Sequence, residues 1–153
     1  MGMAIESAGI RLAEAAPSSK LRTVKRVLLG GFLVFAGVTH LTVAREEFTA
    51  QVPKSVTKYV PVTTDQVVLA SGVAEIALGL SILFARRAQR PTVGWVAAFF
   101  FAAVFPGNLA QFVHRRDAFG LDTDKKRFLR LFFQPVLIAW SLYSTGAWRR
   151  RIK

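Results

Sequence analysis

The run QVVLASGVAEIALGLSILFA, Gln66 to Ala85, is apolar along its whole length except for one carboxylate, Glu75, near its middle. Its length decides the fold class. At about 1.5 Å of rise per residue, such a run reaches about 30 Å as a helix, which matches the hydrocarbon core of a bilayer. A helix at the surface of a soluble domain needs a polar face, and this run has none. Comparable runs extend from Val27 to Ala44, from Pro91 to Val113 and from Leu131 to Trp148. They predict four transmembrane helices at about 27–44, 66–85, 91–113 and 128–148, packed as an all-α integral membrane four-helix bundle.

Composition agrees with this pattern. Of the 153 residues 52% are hydrophobic, mean hydropathy is +0.36, and yet the net charge is +12. Those values fit together only where charge is confined to ends and loops, and nearly all Lys and Arg do lie between the apolar runs. The organisation expected is an N-terminal flexible or membrane-surface segment at 1–23, one transmembrane domain at 24–148 and a basic tail at 149–153. Four spans put both termini on one side. Twelve Lys and Arg lie on that side and nine on the other, which favours an N-in/C-in arrangement at the cell membrane. The basic clusters read as topology signals and lipid headgroup contacts. No patch interleaves them with aromatics on a soluble face, so no nucleic acid is expected as a partner.

Two N-terminal signals compete with this reading. Lys25-Arg26, the apolar run and Thr42-Val43-Ala44 have the order of a cleavable signal peptide, but the preceding tail is long for one and three further spans follow, so the run is expected to remain as a span. Glu6 stands where a myristoylation signal needs Ser or Thr.

The chain has no cysteine, which excludes thiolate nucleophiles, disulfide exchange, iron-sulfur clusters and Cys-ligated zinc. The loop REEFTAQVPKSVTKYVPVTTD, Arg45 to Asp65, intersperses apolar residues with charges and reads as a short amphipathic piece on the membrane surface, with Thr64 or Asp65 capping the second span. Pro91 suits the first turn of the third helix. Asp122 or Thr123 can cap the fourth, after a turn at Gly120. Asp117, Asp122 and Asp124 lack the spacing of a calcium loop, and no metal is predicted.

Depth gives Glu75 a context. A charge inside a span costs at least about 2.5 kcal/mol, so it should face the bundle interior beside a partner. Counted from the outer ends of the spans, His40 is roughly 6 Å deep, Asn108 and Gln134 roughly 9 Å and Glu75 roughly 13 Å. Each span therefore places a polar group in one outer layer. His40 follows Gly37 by three residues, and Glu75 falls between Gly72 and Gly79, so both share a face with glycines that permit close helix approach. Gln111 shares the face of Asn108, and Arg130 that of Gln134. Pro106 and Pro135 free backbone carbonyls near the same level. The six residues His40, Glu75, Asn108, Gln111, Arg130 and Gln134 are the candidate lining of a polar chamber. For the three amides, an interhelical clamp with no ligand explains the pattern equally well.

The combination of GVTH (37–40), a proline-containing loop, SGVAEIALGL (71–80), FPGNLAQF (105–112) and LRLFFQPVLIAW (129–140) resembles the DoxX-like family of small four-helix membrane proteins, from about Val24 to Thr145. The family's characteristic positions correspond to His40, Glu75, Pro106, Asn108 and Gln134. Leu41 stands where an aromatic commonly follows the histidine, and Gly107 where alanine is common. The relatives this resemblance implies include a membrane subunit of a thiosulfate:quinone oxidoreductase, components of membrane oxidoreductase complexes and a branch that assists receptor assembly, and a shared fold does not choose among them.

Three functional expectations follow. The first is an accessory subunit of a redox complex whose outer chamber binds quinone or another flat hydrophobic molecule, with His40 as switchable donor, Glu75 as proton acceptor, and Asn108 and Gln134 bonding carbonyl oxygens. The second is an assembly or scaffold factor that binds a partner's transmembrane helix. The third is a carrier of lipid or a small solute. Other membrane subunits, lipids or a second copy of the chain are the partners these readings imply. No autonomous catalytic motif, haem-ligand pair or flavin fingerprint is present, so an enzyme acting on its own is not expected.

Overall fold

The computed structural model describes residues 19–149, among which every regular element is a helix. Of the lead expected at 1–23 and the tail expected at 149–153, residues 1–18 and 150–153 lie outside the described residues, while Lys20–Thr23 form the first turn of α1 and Arg149 ends the last 3-10 turn. Helix α1 (Lys20–Leu41) is followed by the short α2 (Arg45–Phe48), a 3-10 turn (Thr49–Gln51) and α3 (Lys54–Tyr59); α4 (Thr64–Phe84) and α5 (Arg90–Val113) are long; α6 (Asp124–Leu131) and α7 (Phe133–Thr145) lead to a last 3-10 turn (Ala147–Arg149). Three of these, α1, α4 and α5, are long and apolar enough to cross a membrane.

Local chemistry sets the helix starts. Ser19 caps α1 by accepting the Arg22 N–H, and Thr123 caps α6 by accepting that of Lys126. The cap of α4 is Thr63 rather than Thr64 or Asp65. Its hydroxyl accepts the Gln66 N–H while the Gln66 side chain returns to the Thr63 N–H, a reciprocal pair that only this register permits. Helix α1 also begins well before Val27, so Arg22 and Arg26 are helical and buried. Arg26 donates to the carbonyls of Ile82 and Leu83, which the end of α4 leaves without helical donors.

The expected fourth span at 128–148 is not one helix. It breaks at Phe132 into α6 and α7. Pro135 is the physical reason, because it offers no N–H to the carbonyl of Leu131 and its ring crowds that carbonyl. The Phe132 N–H accordingly bonds back three residues, to Leu129, at 3.2 Å. At 13 residues α7 is about 20 Å long, short of a bilayer core by itself.

Helices α1 and α4 touch backbone to backbone. A Cβ added at Gly37 would lie 2.5 Å from the Gly72 carbonyl oxygen, and one at Gly79 would lie 2.7 Å from that of Gly30. This glycine seam holds α1 on α4, while α5 pairs with α7 through Ala98, Ile138 and Leu142. The two pairs close on a shared core of Leu29, Leu33, Ile82, Ala97, Phe101 and Leu137. Trp140 adds a hydrogen bond of 2.9 Å from its indole N–H to the Lys25 carbonyl.

Gly37→Ala and Gly79→Ala should each lower stability by about 1–3 kcal/mol through overpacking. Gly31→Ala, on the same helix but with open space around it, should be neutral or slightly stabilising. Thermal melts of the three variants in mild detergent check this, and equal effects at Gly31 and Gly37 would remove the seam from the account.

Candidate functional site

Above the shared core the two helix pairs separate and leave a cavity of about 750 Å³. Leu33, Phe101 and Leu137 form its floor, and its polar lining is His40, Glu75, Asn108, Arg130, Gln134 and Gln51. Five of the six residues singled out from the sequence therefore border one space. Gln111 does not. Its carbonyl oxygen accepts from the Gln51 side chain at 3.2 Å and its amide donates to the Arg116 carbonyl at 3.3 Å, so it ties α5 to the loops above.

The glycine seam puts His40 beside Glu75. Gly72 has no side chain to hold α1 away, and a Cβ there would sit 2.7 Å from the His40 Cβ. His40 Nδ1 consequently lies 3.0 Å from Glu75 Oε2 and 2.8 Å from the Ala36 carbonyl oxygen. A single ring nitrogen carries at most one hydrogen. When that hydrogen points along the helix to Ala36, the carboxylate has proximity to the imidazole without an aligned hydrogen bond. Glu75 Oε2 is indeed left buried with no hydrogen-bond partner, and so are Asn108 Oδ1 and Gln134 Oε1. Each such atom costs about 1–3 kcal/mol unless something in the cavity satisfies it. Arg130 borders the same space with its guanidinium 5.5 Å from the Phe133 ring, and the charge of Glu75 acts on it. Among the described residues it makes no hydrogen bond or ion pair.

The loop read as an amphipathic piece folds over the cavity as a flap, Arg45–Tyr59. The Phe48 ring stacks on His40 with 17° between the planes, and Phe119 meets Phe48 edge-on at 4.6 Å. Phe119 has a left-handed backbone, φ 55°, which costs a bulky residue about 1–2 kcal/mol. Its N–H donates to the Glu47 carboxylate, and this bond together with the ring contact holds it there. Arg116 straps the flap by donating to the carbonyls of Ala50 and Val52 at 3.0 and 2.9 Å. Gly107 completes the seat, because a Cβ at that position would lie 2.3 Å from the Gln51 carbonyl oxygen. Glycine at position 107 is therefore what this flap requires.

Gln51, Phe48, Arg116 and Phe119 were not picked out from the sequence. Their signal was weak, because loop residues show no helical phase that would reveal a shared face. The three aspartates of the second loop are held by basic side chains: Asp117 and Asp124 by Arg127, Asp124 also by Arg115, and Asp122 by Lys126. That hydrogen bond from Lys126 holds the Asp122 carboxyl below its usual range. No group of three His, Cys, Asp or Glu residues that could hold a metal ion occurs among the described residues.

Comparison with known proteins gives one family. A model described as domain of unknown function (DUF8561) matches residues 29–145, which covers α1 from its third turn onward, the flap and every cavity residue named above. No curated protein and no solved structure matches the chain.

A double-mutant cycle of His40→Gln and Glu75→Gln should show a coupling of about 0.5–3 kcal/mol in stability, since either change alters the same buried contact. Additivity within error would mean that the two side chains act independently. Gly107→Ala should unseat the flap while leaving the helix core intact, and hydrogen exchange should then rise in residues 45–60 and not in the middle of α4. Unchanged protection at 45–60 would contradict the close approach of Gln51 to α5.

Proposed function

The chain belongs to the DUF8561 family, and we propose that it is an accessory membrane subunit of an oxidoreductase complex whose chamber holds a quinone or a similarly flat hydrophobic molecule. The observation that carries this reading is the set of three buried oxygens without partners, on Glu75, Asn108 and Gln134, three residues that line one mostly apolar cavity. A cavity of about 750 Å³ lies in the range of about 300–1,000 Å³ usual for small-molecule sites. A structural clamp would instead pair its polar groups with each other, as Gln111 does with Gln51.

The donor set suits a ring bearing oxygens. The amides of Asn108 and Gln134 each offer an N–H and a C=O to such a ring, and Arg130 adds a fixed positive charge. His40 and Glu75 sit where a proton released or taken up by a bound molecule has an acceptor and a donor within hydrogen-bond reach of each other. The flap excludes water from this pair with Phe48. A quinone would supply two-electron, two-proton carriage; the chain's own residues bind, orient and move a proton.

The proposal includes a fourth span made of α6 and α7 together, Asp124–Thr145, about 33 Å of helix when taken end to end. It also places both termini in the cytoplasm and the flap on the outer side, as the basic residues favour. The resemblance to the DoxX-like family supports the same assignment.

Native mass spectrometry of the gently extracted protein tests the reading. The wild type should carry a small hydrophobic molecule, and Glu75→Gln or Asn108→Leu should weaken its retention by about 10- to 100-fold, the loss expected for one buried hydrogen bond to a charged or strongly polar group. A stoichiometric protein partner with no small molecule, unaffected by either change, would replace this reading with that of an assembly factor.

A further inference from the structure

Helices α1 and α7 meet at one level and separate at another. Trp140 is pinned to the Lys25 carbonyl at 2.9 Å. Two turns further out, the same face of α1 carries Phe32, seven residues after Lys25, and the same face of α7 carries Phe133, seven residues before Trp140. Were the helices still in contact there, both rings would be buried between them. Instead Phe32 is 48% and Phe133 57% exposed, Phe35 beside them is 69% exposed, and all three line the cavity. On one side of the gap the glycine seam holds α1 against α4, and on the other Phe133 opens α7 directly after the interruption at Phe132.

The cavity thus reaches the apolar outer surface of the bundle through a slot between α1 and α7, framed by three phenylalanines. Its second rim, at the edge of the flap near Pro53 and Ser55, lies under the segment that Arg116 and Gln111 hold down. The slot has no comparable strap.

We infer that the chamber is loaded sideways from the bilayer, through the slot between α1 and α7, by an amphiphile with a compact hydrogen-bonding head and a single apolar tail. The head reaches Glu75, Asn108 and Gln134, and the tail lies between Phe32, Phe35 and Phe133. This rests on the chamber being a ligand site, as proposed above, and adds the route, the tail and the side of the bundle that must stay free of partner subunits. An aromatic slot suits a chain that slides, since its rings offer contact area without hydrogen bonds that would have to break. A head that leaves the interface loses water before it enters, and the partnerless oxygens at Asn108 and Gln134 replace those bonds.

The absence of cysteine makes the test clean. The full chain is placed in nanodiscs as Phe35→Cys, Phe32→Cys or Ser55→Cys, each with and without a bulky maleimide label. Uptake of a decyl-substituted benzoquinone and of its tail-less parent ring is followed by quenching of Trp140, with Trp95 and Trp148 replaced by Phe. Labelling at Phe35→Cys or Phe32→Cys should slow uptake of the tailed probe by about tenfold or more, a barrier increase of about 1.4 kcal/mol, whereas labelling at Ser55→Cys should change it by less than about twofold. Slowing at Ser55→Cys with none at the phenylalanine positions would assign the route to the flap edge and overturn this inference, leaving the chamber itself standing. Failure of the unlabelled protein to bind either probe would overturn both.

Discussion

A carboxylate in the middle of an apolar helix is the constraint on which the structure turns. Glu75 can occupy α4 only if it faces inward and finds polar company, and the glycines on its own face let α1 come close enough to bring His40 within 3.0 Å. The seam and the acid are therefore one design. Small residues at Gly30, Gly37, Gly72 and Gly79 fix the distance between the helices, and that distance fixes where the imidazole sits. Because His40 Nδ1 also lies 2.8 Å from the Ala36 carbonyl, the pair is close without being closed. A salt bridge saturated by its own partners would hold helices together and do little else.

The rest of the outer layer is built around that unfinished pair. Asn108 comes from α5 and Gln134 from α7, and each also keeps an oxygen without a partner, so a mostly apolar cavity carries a few polar residues in its lining. Above it the flap is attached by Arg116, the Gln51–Gln111 bond and the bare backbone of Gly107. Gln51 borders the cavity and is bonded, whereas Glu75, Asn108 and Gln134 beneath the flap each keep an oxygen without a partner.

Pro135 has a larger role than a local kink. By ending α6 at Leu131 it divides the final part of the chain into an amphipathic piece that carries Arg127 and Arg130 and an apolar helix that packs on α5. Trp140 is bound to α1 at the level of the cavity floor, while Phe133 at the start of α7 stays exposed on the cavity's flank. Pro106, inside α5, leaves that helix continuous. Two prolines in apolar helices thus have opposite outcomes.

The sequence alone determined that the chain is helical, that α1, α4 and α5 are long and apolar enough for a bilayer, and that His40, Glu75, Asn108 and Gln134 share one depth, with Gln111 and Arg130 as candidates on the same helix faces. Helical periodicity carries that information, because a residue's face and depth follow from its number once the helix is known. Only the tertiary structure decided that Gln111 is a strap, that Phe48 covers His40, that Gly107 seats a carbonyl and that the last apolar run is divided at Phe132. Those features depend on where loops fold back and on how far two helices diverge, neither of which has a period to read. The partnerless oxygens belong to the same class: a sequence names the polar atoms, and only the packing shows which of them have been left without a bond.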